Sequence, residues 1–162
     1  MSGGGFMSKF DLKIEKNGGA FKVAMAGVID EDADFNPHAL AGATSIDLNL
    51  QNVKSINSCG IREWIKWIST AGNAKVQYHE CPKIIVDQIN MVQGFLPASG
   101  KVMSFFVPFY NEDSGAEKNI LFTAGKEYGE GGLTAVPQVK DDAGNEMEMD
   151  VVEAKYFKFL KK

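Results

Sequence analysis

Ile56-Asn57-Ser58-Cys59-Gly60-Ile61-Arg62-Glu63-Trp64 is the stretch whose reading decides the fold. Upstream, Ser45-Ile46-Asp47-Leu48-Asn49-Leu50 alternates apolar and polar residues, the period of a strand, and Val53 and Ile56 continue its apolar side. Downstream, Ile61, Trp64, Ile65 and Ile68 recur at helical spacing. The junction is therefore a tight strand-to-helix turn, with Ser58 near the helix N-terminus. A helix start leaves backbone N–H groups without partners and carries partial positive charge, so it accepts an anion such as phosphate. Two roles stay open for Ser58: a helix N-cap, worth about 1 kcal/mol, or a phosphorylation site.

Working outward, Phe10-Asp11-Leu12-Lys13-Ile14-Glu15-Lys16 alternates like a half-buried strand, and Asn17-Gly18-Gly19 is a turn signal. Phe21, Val23 and Met25 repeat the alternation up to Gly27-Val28-Ile29-Asp30, which predicts a hairpin. Asp30, Glu31, Asp32 and Asp34 follow. Four carboxylates in five positions could gather a cation, but the Gly and terminal Glu of a calcium loop are missing, so the run reads as a solvated acidic connection. Pro37 predicts a short helix carrying Ala39 and Leu40. After the 61–68 helix, Ala71-Gly72-Asn73 is a stop. Lys75-Val76-Gln77-Tyr78-His79-Glu80-Cys81 is a fourth strand, and Pro82 opens a helix with Ile85, Ile89, Val92 and Leu96 inward. Val102, Phe105 and Val107 predict a fifth strand. Strands alternating with helices through short loops predict an α/β domain over residues 8–110.

The remainder, 111–162, has a different character. Lys118 to Thr123 is a strand, and Gly125 to Gly132 is a loop with four glycines. Val136 to Val139 is a further strand, Asp141-Asp142-Ala143-Gly144 a turn, and Met147 and Met149 alternate with acids. Val151 to Lys162 is an amphipathic helix. This predicts a β-hairpin extension and a terminal helix.

The chain has 162 residues, 44% hydrophobic and 23% charged, with net charge −4. That acidic balance argues against nucleic acid as a partner. No apolar run approaches membrane-spanning length. Met1-Ser2-Gly3-Gly4-Gly5 lacks the basic and apolar regions of a signal peptide, and residues 1–7 read as a flexible lead-in. Two cysteines make no disulfide framework, which fits a reducing cytoplasm.

Three stretches in order carry a resemblance. Gly27-Val28-Ile29-Asp30 is similar to Gly-x-Leu-Asp. The strand at 46–50 leads to Asn57-Ser58-Cys59-Gly60-Ile61, similar to Asp-Ser-Ser/Thr-Gly-Leu. Cys81-Pro82-Lys83-Ile84 through Ile89-Asn90-Met91-Val92-Gln93-Gly94-Phe95-Leu96 is similar to a Pro-started helix ending in Met-Ser-Gly-Leu. Together they resemble the STAS domain of bacterial anti-sigma factor antagonists over roughly residues 8–107. The resemblance implies a mixed β-sheet packed by helices. It also implies a non-enzymatic signalling role in transcription regulation: binding an anti-sigma factor that is also a serine kinase-like ATPase, controlled by phosphorylation of Ser58. Asp30, Asn57, Cys59 and Gly60 would shape the switch loop and touch the partner. Asn57 stands where the family has Asp, and the segment from Asp30 to Ser45 is short for the family's first helix. These departures keep two alternatives: a constitutive interaction module without the switch, and a small-ligand sensor with a pocket near Glu31 to Ala43.

The tail carries a second resemblance. Phe109-Tyr110-Asn111-Glu112-Asp113-Ser114-Gly115 resembles a zinc knuckle with Asn111 and Ser114 in the cysteine places. Lys140 to Glu148 is similar, with Lys140 and Ala143 in the ligand places. None of these can supply thiolate or imidazole donors, so no metal is expected, and Phe122, Tyr156, Phe157 and Phe159 would pack the extension instead. Elsewhere, His79 and Cys81 fall on one side of a strand but make only two ligands, and Cys59 reads as a small filler. Trp64 reads as core, and Trp67 as an exposed contact. No nucleophile–base pair or phosphate-cradling Gly-rich loop suggests catalysis or a cofactor.

Overall fold

The computed structural model describes residues 9–161, so the expected lead-in at 1–7 lies outside the described residues. The alternating segments form β1 (Asp11–Asn17), β2 (Ala20–Ile29) and β3 (Ser45–Ile56). They are followed by α1 (Ser58–Ser69), β4 (Lys75–His79), α2 (Lys83–Met91) and β5 (Gly100–Val102). These strands make one mixed sheet in the order β1-β2-β3-β4-β5, with β1 antiparallel to β2 and the others parallel. The chain is thus mixed α/β. Neighbouring parallel strands joined by right-handed crossovers put α1 and α2 on the same face. There Trp64, Ile68, Ile85 and Val86 share a core with Phe21, Val23, Ile46, Leu48, Val76 and Tyr78. The opposite face carries the polar half of each alternation.

In β3 the alternation slips after Leu50. Gln51 and Asn52 are both exposed and Val53 is buried again. The register against β2 shifts at the same place, the signature of a β-bulge. This keeps Val53 on the core side as the strand approaches the 57–60 turn.

Pro37 opens no helix. The acidic run folds into turns in which Asp30 Oδ1 accepts from the Asp32 N–H (2.9 Å) and Asp34 Oδ1 from the Asn36 N–H (3.0 Å). Such side-chain bonds compete with helical ones. Phe35 and Leu40 are buried and pin the segment over α1. Trp67 is consequently only 5% exposed, packed on Phe35 at 5.1 Å between ring centroids, with its Nε1 donating to His38 O at 2.7 Å. The expectation of an exposed Trp67 is corrected: the 31–43 connection covers it.

The expected fifth strand is two strands in two sheets. β5 ends at Val102, and β6 (Ser104–Tyr110) begins a second, four-stranded sheet. Its other strands are β7 (Glu117–Thr123), β10 (Val139–Lys140) and β11 (Glu146–Met149), in the order β10-β11-β6-β7. The Gly-rich loop carries a two-residue hairpin, β8 (Tyr128–Gly129) with β9 (Gly132–Leu133). The extension is thus more than a hairpin, because β6 lies at its centre.

The terminal helix is also corrected. Residues 153–156 form α3, and a 3-10 turn follows at Lys158–Lys161. Tyr156, Phe157 and Phe159 are all buried, a spread too wide for one α-helical stripe. Asn90 of α2 clamps the break. Its Nδ2 donates to Tyr156 O and its Oδ1 accepts from the Phe159 N–H, both at 2.9 Å. The aromatic core of the second sheet holds Phe105, Phe109, Phe122, Tyr128, Tyr156, Phe157 and Phe159.

His79 and Cys81 do not share a side. His79 is half-buried on the polar face of the first sheet, whereas Cys81 is fully buried and bridges Phe105. Glu80 lies between them at φ +52°, in the left-handed region, and breaks the alternation. Burial pushes the Cys81 thiol well above its ordinary pKa.

The two knuckle-like turns face each other. Asn111 Oδ1 accepts from the Ser114 N–H (2.8 Å) and its Nδ2 donates to Glu146 O (2.8 Å). In the opposite turn the central residue is Asp141, not Lys140 or Ala143. Its Oδ1 accepts from the Ala143 and Asn145 N–H groups at 3.0 and 2.8 Å, and its Oδ2 from Ser114 Oγ at 2.8 Å and Asn145 Nδ2 at 3.1 Å. The Ser114 hydroxyl, and then the Asn145 N–H, hold the Asp141 carboxyl below the ordinary aspartate value.

Candidate functional site

The strand-to-helix turn is organised around one carbonyl. Ile29 O, at the end of β2, accepts from the Asn57 N–H at 3.1 Å. A Cβ on Gly60 would stand 2.1 Å from that same oxygen, so α1 can start this close to β2 only with glycine there. Asn57 is extended, at φ −109° and ψ −179°, and its Oδ1 accepts from the Gly60 N–H at 2.9 Å. Its carbonyl accepts from the Ile61 N–H at 2.9 Å.

Asn57 is therefore the N-cap, which removes the capping role from the two left open for Ser58. The cap is the residue that stays extended while its side chain turns back, and an Asn has the reach to do this. Ser58 becomes the first helical residue. Its side chain is exposed, and its hydroxyl makes no hydrogen bond among the described residues. Cys59 is half-buried and Gly60 buried.

Asp30 is brought beside the turn through Ile29, but its carboxylate serves its own loop at Asp32. The acidic neighbour that reaches the turn is Glu31, whose Oε1 lies 3.5 Å from Asn57 Nδ2. Sequence reading placed Glu31 only within an acidic run. Arg62 was also missed. It stands one helical turn after Ser58, exposed and without an ion pair among the described residues. Its signal was the i,i+4 spacing, which puts two side chains on one helix face.

The first turn of α1 contains no acidic residue. The positive end of the helix is thus left unneutralised by its own side chains. Chemically, the arrangement offers an exposed hydroxyl on a rigid turn, a helix N-terminus, one guanidinium within reach and one carboxylate at the side.

A cleft of about 650 Å³ is lined in part by Phe10, Val28, Asp30, Asp34 and His38. It adjoins the 31–43 connection. Among the described residues no group of three or more His, Cys, Asp or Glu side chains is placed to hold a metal ion. No described helix is long and apolar enough to cross a membrane. Comparison with known proteins finds no matching family profile, no similar curated protein and no similar solved structure.

Proposed function

We propose that this chain is a STAS-type protein-interaction domain that acts as an anti-sigma factor antagonist. It binds a regulatory serine kinase-like ATPase or anti-sigma factor, and phosphorylation of Ser58 controls the binding. The observation that carries the reading is the exposed Ser58 hydroxyl at the first position of α1, left without a bond because Asn57 supplies the cap. The order of strands and helices through β5 and the place of the turn after β3 support it.

The step is a phosphoryl transfer. Ser58 Oγ attacks the γ-phosphorus of ATP held by the kinase, ADP leaves, and the hydroxyl proton is released. The phosphate adds nearly two negative charges and three strong acceptors at the surface. The helix N-terminus and Arg62 stabilise it, so the fold tolerates the change. Glu31, close to the same turn, opposes it, and the surface offered to a partner becomes more acidic.

The test incubates the chain with ATP and a purified serine kinase-like anti-sigma factor, followed by mass spectrometry and a binding assay. Phosphate is expected on Ser58. Ser58→Asp is expected to abolish binding, and Ser58→Ala to keep binding while blocking phosphorylation. Binding indifferent to both substitutions would replace the switch with a constitutive interaction module.

A further inference from the structure

β7 is an outer strand of the second sheet, paired with β6 on one side only. Its two ends fix which backbone groups lie on the open side. Ala116 O accepts from the Asn111 N–H, and the Ala124 N–H donates to Met103 O, so the even-numbered residues face β6. Thr123 faces away. Its N–H donates to Glu127 Oε1 at 2.8 Å, and its carbonyl accepts from the Lys126 and Glu127 N–H groups. An antiparallel ladder alternates, so Glu117, Asn119 and Leu121 also present N–H and C=O outward. Unlike those of Thr123, these groups meet no partner among the described residues.

Open edges are normally blunted by shortness, by charge or by a covering element. β5 has three residues and β10 two. β1 is long but carries Asp11, Lys13, Glu15 and Lys16. β7 has seven residues, and none from Asn119 to Thr123 is charged. Its lysine does not guard the edge: Lys118 Nζ donates to Lys140 O at 2.8 Å and lies 3.6 Å from Asp142. Asn119 and Leu121 are exposed, and the Asn119 amide makes no side-chain hydrogen bond among the described residues.

The open pattern is its own complement. Two such edges laid antiparallel about a two-fold axis at Asn119 set Asn119 opposite Asn119 and Glu117 opposite Leu121. Every open N–H and C=O then has a partner, the two Asn119 amides face each other, and no like charges stand opposite. Shifting the axis to Ile120 would set Glu117 against Thr123, and shifting it to Lys118 would set Leu121 against Gly115. The N–H groups of Thr123 and Gly115 are already engaged, by Glu127 Oε1 and Asn111 O. We propose that β7 pairs with β7 of a second copy of this chain, antiparallel about Asn119, joining the two four-stranded sheets into one.

The test is analytical ultracentrifugation of the full chain from micromolar to millimolar concentration. A monomer–dimer equilibrium is expected, with the Glu117, Asn119 and Leu121 amides gaining protection from hydrogen exchange as concentration rises. Leu121→Glu sets a carboxylate against Glu117 of the second copy, twice per dimer, and is expected to weaken association about tenfold. Leu121→Lys sets an ammonium there and is expected to keep association. Adding Glu117→Lys to Leu121→Glu is expected to restore it. Asn119→Pro removes an outward N–H that an edge strand can spare, and is expected to give a folded monomer. Ser58→Asp is expected to leave association unchanged. The proposal is overturned if the chain stays monomeric at millimolar concentration, if folded Asn119→Pro dimerises like the parent protein, or if Leu121→Glu and Leu121→Lys associate equally.

Discussion

Ser58 and Ser114 sit in similar local settings and have opposite fates. Each follows an asparagine whose Oδ1 accepts a backbone N–H three residues on, from Gly60 in one case and Ser114 in the other. At the second site the serine hydroxyl is engaged by Asp141, whose carboxylate gathers four hydrogen bonds and joins two turns. At the first site the asparagine does all the structural work, and the serine faces solvent. The same residue types therefore make a closed polar clasp in one place and an open, solvent-facing corner in the other. What separates them is whether a second turn faces the first.

The strongest way to break this contrast is Gly60→Ala. The added methyl would collide with Ile29 O, and separating α1 from β2 should cost about 2–4 kcal/mol of stability. Thermal or urea unfolding measures it, and a loss under 0.5 kcal/mol would mean that the close approach does not organise the turn. A smaller effect comes from comparing Asn57→Ala with Ser58→Ala. Removing the cap should cost about 1 kcal/mol, whereas removing the hydroxyl should change stability by less than about 0.5 kcal/mol. Equal losses would return the capping role to Ser58.

The smallest effect sharpens the other half of the comparison. Because the folded Asp141 pKa lies below its unfolded value, its contribution is complete above the unfolded value. It is lost as pH falls through the folded value. The Ala143 and Asn145 amides should therefore stay protected from hydrogen exchange through the ordinary aspartate range near pH 3.9 and open only in stronger acid. Opening at the ordinary value would show that Ser114 does not hold the carboxylate.

Much of the first sheet was legible because its signals are local. Alternation marked β1, β2, β3 and β4, and the 61–68 stripe marked α1. What stayed hidden depends on distant neighbours. Phe105 and Val107 read as continuing Val102, since periodicity cannot say which sheet a strand joins. Tyr110 pairs with Glu148, far along the chain, and no window reaches that far. Trp67 looked exposed because the segment that covers it has no regular pattern of its own. At the candidate site, the turn, Gly60 and the serine were legible. The exchange of roles between Asn57 and Ser58 was not, because both residue types are good caps and only the backbone angles choose between them. Glu80 gave no sign of its left-handed conformation, which non-glycine residues adopt too rarely for sequence to anticipate.

The placement of β6 has a consequence for how the chain is made. Once residue 102 has left the ribosome, every strand of the first sheet has been made. The next segment, Ser104-Phe105-Phe106-Val107-Pro108-Phe109-Tyr110, emerges with the bridge from Cys81 to Phe105 as its link to strands already made. β7 can pair with it soon afterwards, but β11 and the sealing rings Tyr156, Phe157 and Phe159 arrive some 40–50 residues later. During that interval the nascent chain displays an aromatic strand edge, the kind of surface that chaperones hold and that aggregation exploits. Vectorial synthesis thus separates the two sheets in time: the strands of the first are complete before the aromatic residues that seal the second are made.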